Sequence, residues 1–110
     1  MSIMMNLYYT GTNGAARAFV REMESSGTAD SIRAEEGNER YAYFFPADDP
    51  ETVLLVDIWT DQTAIDRHHA TPMMKTIAEL REKYDLRMRA ERYVSDAGGL
   101  PDTDKKFIRE

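Results

Sequence analysis

The sequence predicts an α+β fold, a ferredoxin-like split βαβ sandwich with a four-stranded antiparallel sheet and helices on one face. Two observations carry this prediction. Apolar residues alternate, or recur at helical spacing, in the order β-α-β-β-(α)α-β, and two of the strands are apolar on both faces. Because no segment remains to cover the second face of the sheet, we also expect a homodimer, packed sheet against sheet as a dimeric α/β barrel.

In the first half of the chain, residues 3–10 alternate as a strand that is largely apolar on both faces. An apolar stripe at helical spacing predicts a helix over residues 15–26, which Gly27 is placed to end. Residues 31–35 could form a short helical turn. The second strand is predicted over residues 39–45, with Tyr41, Tyr43 and Phe45 on one face.

In the second half, residues 52–59 form a third strand whose run of branched apolar residues implies burial on both faces. Thr60 or Asp61 can cap a short helix that runs to about residue 69. The Thr71-Pro72 step then predicts a capping residue followed by proline at the first position of a helix that ends near Tyr84.

The last predicted strand, residues 86–94, alternates apolar and charged residues and therefore has one wet side. It closes a predicted domain over residues 1–94. The tail, residues 95–110, is rich in Gly, Asp and Pro but ends in Phe107 and Ile108, which have no local core. We therefore expect the tail to dock on the body of the protein or on a partner subunit.

Composition bounds the classes of function. The chain has 110 residues, the size of one domain. Its 20 acidic and 14 basic residues give a net charge of −6, so nucleic acid and anionic membranes are poor partners. The absence of cysteine excludes disulfides and thiolate metal sites. No apolar run approaches the roughly 20 residues of a membrane span, and the N-terminus lacks the pattern of a secretion signal, so we expect a cytoplasmic protein.

His68 and His69 are the only histidines, and histidine is the side chain that normally titrates near neutral pH. Neighbouring residues on a helix point about 100° apart, so these two cannot chelate one metal. His68 shares a helical face with Ala64 and Ile65 and should point inward, either as a packed histidine at the edge of the core or as a functional group. His69 is predicted on the surface.

Two strand residues are further candidates. Trp59, the only tryptophan, ends the third strand just before the helix that carries His68, and it either packs or walls a pocket. Asn6 lies in the middle of the first strand, on the face of Met4 and Tyr8. A buried strand asparagine needs partners, so it either bonds to backbone or presents its amide to a ligand between helix and sheet.

Tyr8, Tyr43 and Met73 could line a pocket with hydroxyls or soft apolar surface, although packing is the alternative for all three. No phosphate loop, G-x-G-x-x-G segment or G-x-S-x-G elbow occurs. Any catalysis must therefore use an apolar cavity and one or two polar groups.

Three segments together resemble the antibiotic biosynthesis monooxygenase family: residues 35–41, 53–59 and 68–75. The spacing from Trp59 to His68 and the following Thr-Pro step are similar to the quinol monooxygenase branch, and the resemblance extends over about residues 3–94. It implies a ferredoxin-like fold that pairs into dimers.

The resemblance also implies oxidation of an electron-rich aromatic, such as a quinol, by dioxygen with no metal or flavin cofactor. It implies that His68 is a base or orienting donor, that Trp59 walls the pocket, and that Asn6 corresponds to a strand asparagine of haem-degrading members. Met73 departs from the family, since the quinol branch often has histidine there. The haem-degrading and anthrone-oxidising members carry polar groups that this chain lacks.

A second resemblance is to the enzyme that isomerises the phosphorylated autoinducer-2 signal, carried by residues 35–38 and 68–76. It implies an isomerase that moves protons without a cofactor, with Arg33, Arg40 or Lys75 available for the phosphate. A non-catalytic dimeric module that binds a small aromatic is the third possibility.

Overall fold

The computed structural model describes residues 1–110 and confirms the fold class: a four-stranded antiparallel sheet with helices on one face. Along the sheet the strand order is β2-β3-β1-β4. The elements in chain order are β1 (Ile3–Thr10), α1 (Ala15–Ser25), α2 (Thr28–Arg33), β2 (Asn38–Phe44), β3 (Thr52–Trp59), α3 (Gln62–His69), α4 (Met73–Lys83), β4 (Arg87–Val94) and α5 (Asp102–Lys105).

The core lies between the sheet and the helices. β1 and β3 are central, and alternate residues of each strand face the helices. The largest fully buried side chains include Phe19 and Met23 from α1 together with Trp59 from β3. Phe19 packs against Tyr9 of β1 with a ring-centroid separation of 5.1 Å. The apolar stripe of α1 therefore packs against this face of the sheet and covers part of it.

The second helix begins earlier than predicted. We expected a turn over residues 31–35, but α2 runs from Thr28 to Arg33. Gly27 adopts a φ of +80°, a left-handed conformation that glycine adopts without steric cost. It therefore ends α1 and starts α2 at one residue, with no loop between them.

The two helices after β3 differ in how they start. Asp61 caps α3 as predicted, since its side chain accepts a hydrogen bond from the Ala64 amide at 2.8 Å. Thr71 does not cap α4, which is a correction: its hydroxyl donates to the carbonyl oxygen of His68 at 2.8 Å. Thr71 therefore closes the end of α3 and ties down the backbone of His68.

The second face of the sheet, which we call the bare face, carries no helix. It is formed by the alternate strand residues that point away from the helices. Its apolar members include Met4, Tyr8, Phe44, Leu54, Val56 and Ile58. Asn6 lies among them, and its side-chain oxygen is buried without a hydrogen-bond partner.

The tail does not dock on the body in the single chain. Phe107 is 76% exposed and Ile108 is 51% exposed. The part of the prediction that places the tail on the protein's own body is therefore not met, while docking on a partner subunit stays a prediction. No helix is both long and apolar enough to span a membrane.

Candidate active site

A cavity of about 290 Å³ lies between the sheet and helices α3 and α4. Its walls are mainly apolar and include Met5, Leu7, Leu55, Ile65, Met74 and Ile77. The polar side chains that line it come from six elements: Tyr9 on β1, Tyr41 on β2, Asp57 and Trp59 on β3, Gln62, His68 and His69 on α3, Arg81 on α4 and Arg92 on β4. The arrangement is that of a small-molecule site, an apolar hollow with a few convergent polar groups.

His68 is the best-defined polar group of this cavity. It faces inward with Ala64 and Ile65, as the helical spacing predicts, and is only 5% exposed. Its Nδ1 lies 2.7 Å from Oε2 of Glu35. An ionised carboxylate can only accept, so Nδ1 donates when it faces ionised Glu35, and Nε2 of the neutral imidazole then carries the free lone pair. The imidazole is therefore held in the tautomer of a general base.

The Trp59 indole packs flat against this imidazole. The two ring centroids are 4.8 Å apart and the planes are inclined by 30°. Trp59 is 1% exposed and also lines the cavity. The carboxylate of Glu35 and the indole of Trp59 together fix the position and the orientation of the His68 ring.

Glu35 reaches His68 because of a close approach at Gly37. Gly37 has a φ of +88°, and a Cβ there would lie 2.6 Å from the Ala64 Cβ. The amide of Thr60 donates to the Gly37 carbonyl at 2.9 Å. The loop that carries Glu35 is therefore held directly against the helix that carries His68, at a spacing that only glycine allows.

Asp57 is a second titratable group of the cavity, and sequence reasoning did not single it out. Its side chain is buried, with the residue 6% exposed, and an Oδ1 accepts a long hydrogen bond of 3.4 Å from Asn38. Burial raises the pKa of Asp57 to about 7, and the nearby charge of Glu35 adds to this shift. Hydrogen bonds from Trp59 and Asn38 act in the opposite direction.

The tyrosines of the cavity stay neutral. Burial raises the pKa of Tyr9 to about 12 and raises the pKa of Tyr41 well above its ordinary value. Tyr43 does not line the cavity but packs behind Tyr41, to whose hydroxyl it donates at 3.4 Å. These side chains can offer hydroxyl groups, but they are not proton acceptors near neutral pH.

The structure thus brings His68 and Trp59 together, whereas the other four predicted site residues, Asn6, Tyr8, Tyr43 and Met73, do not line the cavity. Asn6 and Tyr8 lie on the bare face, so the prediction that Asn6 lies between helix and sheet is wrong. The physical reason is strand alternation: Met5 and Leu7 of β1 face the helices, and their even-numbered neighbours point away.

Met73 packs on the core, whereas its neighbour Met74 lines the cavity. The three cations suggested for a phosphate, Arg33, Arg40 and Lys75, are also absent from the lining. Arg33 is engaged elsewhere, since its guanidinium pairs with Glu24 at 2.9 Å and donates to the Tyr41 carbonyl at 2.8 Å.

Two signals in the sequence could have led to the missed residues. Asp57 is the only charged residue in a strand that is otherwise apolar apart from its first residue, and a buried charge of this kind needs a reason. Gly37 marks the loop of Glu35 as a place of close packing. Nowhere in the structure do three or more His, Cys, Asp or Glu side chains gather as a metal site would require.

The model of the antibiotic biosynthesis monooxygenase family matches residues 2–80, and the chain belongs to that family. No curated protein sequence shows significant similarity to it.

Solved structures share the fold at low sequence identity. A candidate antibiotic biosynthesis monooxygenase from Deinococcus radiodurans has a TM-score of 0.73 at 17% identity, covering 86% of this chain and 92% of that one. PA3566 from Pseudomonas aeruginosa has a TM-score of 0.73 at 21% identity, covering 87% and 95%. SnoaB, a cofactor-independent oxygenase from Streptomyces nogalater, has a TM-score of 0.71 at 16% identity, covering 86% and 93%.

Proposed function

We propose that this protein is a cofactor-independent monooxygenase that oxidises a quinol or a similar electron-rich aromatic with dioxygen. The observation that carries the proposal is the His68–Glu35 pair at the wall of an apolar cavity. Membership of the antibiotic biosynthesis monooxygenase family supports it. So does the resemblance in fold to SnoaB, which is described as a cofactor-independent oxygenase.

The chemistry needs one base and a dry pocket. Nε2 of His68 would take a phenolic proton, and Glu35 would stabilise the resulting imidazolium. The phenolate is electron-rich enough to reduce dioxygen, and one oxygen atom becomes bonded to a ring carbon. The other oxygen leaves as water, so a quinol and dioxygen give a hydroxyquinone and water. The apolar walls exclude bulk water from the anion.

The test is oxygen consumption with menadiol as the probe substrate. We expect His68→Gln to lower kcat by roughly 10²-fold to 10⁴-fold, the range for losing a general base. Arg67→Gln, an exposed change on the same helix, is the control and should leave kcat unchanged. Activity of His68→Gln at the level of the parent protein would remove His68 from the mechanism.

The alternative function is that of an isomerase acting on a phosphorylated small molecule, and the observation that favours it is the position of Arg81 and Arg92. Both line the cavity, and neither forms an ion pair with a carboxylate in the structure. Their guanidinium groups could hold a phosphate. Saturable binding of a small sugar phosphate that Arg81→Gln abolishes, without oxygen uptake from menadiol, would favour the isomerase. Menadione binding with neither activity would indicate a binding module.

We also infer that the protein is a cytoplasmic homodimer in which the bare face is covered by a second copy. Exposed apolar residues there, such as Phe44 at 42% and Tyr93 at 49%, support this inference. Val56→Lys places a charge at the centre of the face and should give a 12.6 kDa monomer in sedimentation. Ala78→Lys, exposed on α4, should sediment like the parent; a monomeric parent would refute the dimer.

A further inference from the structure

We propose that Asp57 is the proton donor of this cavity, giving a hydrogen bond to an oxygen of the bound molecule and a proton to the departing oxygen during turnover. The inference rests on the proposed function and extends it from one proton-transfer group to two. It assigns His68 to the phenolic proton and Asp57 to the protonation of the departing oxygen.

Geometry places Asp57 on the floor of the cavity. It lies in the register row formed by Tyr41 on β2, Met5 on β1 and Arg92 on β4, all of which also line the cavity. His68 belongs to helix α3, which covers this face of the sheet. A flat molecule lying between the helices and the sheet would therefore meet the imidazole from one layer and the carboxyl from the other.

The groups around Asp57 leave its carboxyl free to donate. The Trp59 indole can only donate to it, the Asn38 Nδ2 donates to it at 3.4 Å, and Tyr9 and Tyr41 are neutral. Because both bonds are donated to the carboxyl, the O–H of its protonated form is available to another acceptor.

Charge around the carboxyl favours the protonated form. Glu35 is the nearby anion, His68 is held by Glu35, His69 also lines the cavity from α3, and Arg81 and Arg92 line it from α4 and β4. Burial and the charge of Glu35 outweigh the hydrogen bonds from Trp59 and Asn38, so the pKa of Asp57 is raised to about 7. Near neutral pH, both the acid and the carboxylate are therefore populated.

The assignment balances the reaction. His68 takes the phenolic proton, and dioxygen accepts two electrons as a carbon–oxygen bond forms. The His68 imidazolium then returns that proton to the distal oxygen, which gives a hydroperoxide and a neutral imidazole. The O–O bond then breaks, and the distal oxygen receives the proton of Asp57 and leaves as water. The proton lost from the same ring carbon restores Asp57, so no further reductant or oxidant is needed.

The first test uses binding and requires no turnover. Menadione has no titratable group, and its carbonyl oxygens only accept hydrogen bonds. Quenching of the single tryptophan, Trp59, would measure its affinity. If only protonated Asp57 binds, a pKa of about 7 predicts an affinity about tenfold lower at pH 8 than at pH 6.

Asp57→Asn keeps the shape and supplies an amide donor at every pH, so its affinity for menadione should not change between pH 6 and pH 8. Asp48→Asn, exposed in the loop between β2 and β3, and His68→Gln should both keep the tenfold change. The assignment is overturned if menadione does not bind the parent protein, if the parent's affinity does not vary with pH, or if Asp57→Asn varies like the parent.

The second test uses turnover of menadiol. Asp57→Asn should lower kcat about 10²-fold with little change in KM, and it should remove the fall in rate that the parent shows as pH rises above 7. Oxygen uptake by Asp57→Asn equal to that of the parent would refute the donor role and leave the monooxygenase intact. A parent protein that consumes no oxygen refutes the monooxygenase, and menadione binding then decides the role of Asp57 by itself.

Discussion

The two faces of the sheet are built from the same strands but do different work. On β3, Leu55 and Asp57 point to the helices and the cavity, whereas Leu54 and Val56 point to the bare face. Both faces are apolar, so hydrophobicity does not distinguish them. The polar residues do: the covered face holds the buried Asp57 and His68 at the cavity, whereas the bare face holds the amide of Asn6 and, towards its edges, the charged residues Arg40, Arg89 and Glu91.

The difference shows how strand alternation separates two tasks in one small domain. Because side chains alternate with a period of two, every strand residue that lines the cavity is flanked along its strand by residues that point to the bare face. Residues for assembly and residues for chemistry can therefore change independently along β1 and β3.

Truncating adjacent leucines of β3 should have very different effects. Leu55 is 1% exposed, so Leu55→Ala should lower the free energy of unfolding by about 2–5 kcal/mol. Leu54→Ala, on the partly exposed bare face, should cost less than half as much in the monomer. Urea unfolding followed by circular dichroism would measure both.

The two leucine variants also test whether the two faces of the sheet differ energetically. If a second copy covers the bare face, the cost of Leu54→Ala should increase at protein concentrations where the parent is dimeric. Equal costs for the two variants in a monomer would show that the faces are not energetically distinct.

Asp57, on the covered face, should make the free energy of unfolding of the protein depend on pH. Its pKa rises from 3.8 in the unfolded chain to about 7 in the folded protein. Below pH 3.8 both states hold the proton. Between pH 3.8 and about pH 7 only the folded state holds the proton, so the free energy of unfolding falls as pH rises. Above pH 7 the contribution of the protonated carboxyl to stability is lost completely. At 1.36 kcal/mol per pKa unit the loss is on the order of 4 kcal/mol at most.

Asp57→Asn removes this titration. Relative to the parent protein, the variant should therefore be more stable at pH 8 than at pH 5, as measured by urea unfolding at both values. Asp48→Asn, in an exposed loop, should run parallel to the parent at the two pH values. If the unfolding free energies of Asp57→Asn and the parent changed equally between pH 5 and pH 8, the Asp57 carboxyl would already be ionised in the folded protein at pH 5.

Substitution of Gly37 tests whether its loop packs closely against helix α3 at Ala64. Gly37→Ala introduces both a strained φ and a contact with Ala64, and should destabilise the protein by about 2–3 kcal/mol. Gly14→Ala is the matched control: it has a similar φ of +79° but no atom within 4 Å, so it should cost about 1 kcal/mol.

The Gly37 variant should also lose menadiol oxidation beyond its loss of stability, because the loop that carries Glu35 moves away from His68. Equal unfolding free energies for the two glycine variants would show that the Gly37–Ala64 approach is not tight in solution.

The sequence predicted the sheet well because β1 and β3 are long, periodic and bounded by turn residues. It predicted His68 and Trp59 in one pocket because helical spacing and strand-end position are local properties. It could not decide which face of β1 meets the helices, since both are apolar, and it therefore misplaced Asn6. The Glu35–His68 contact spans 33 residues and depends on how the chain closes at Gly37, so the spacing of residues within one helix or strand does not predict it.

Asn6 provides the smallest and most specific test of the bare face. Its buried oxygen has no partner, and leaving such a group unsatisfied costs about 1–3 kcal/mol. Asn6→Leu should therefore raise the free energy of unfolding of the monomer by about 1 kcal/mol, without changing the activity with menadiol, because the residue lies on the far side of the sheet from the cavity. Urea unfolding at low protein concentration, paired with oxygen uptake, would check both. A loss of activity with intact stability would mean that the two faces are coupled and that Asn6 acts on the cavity through the sheet.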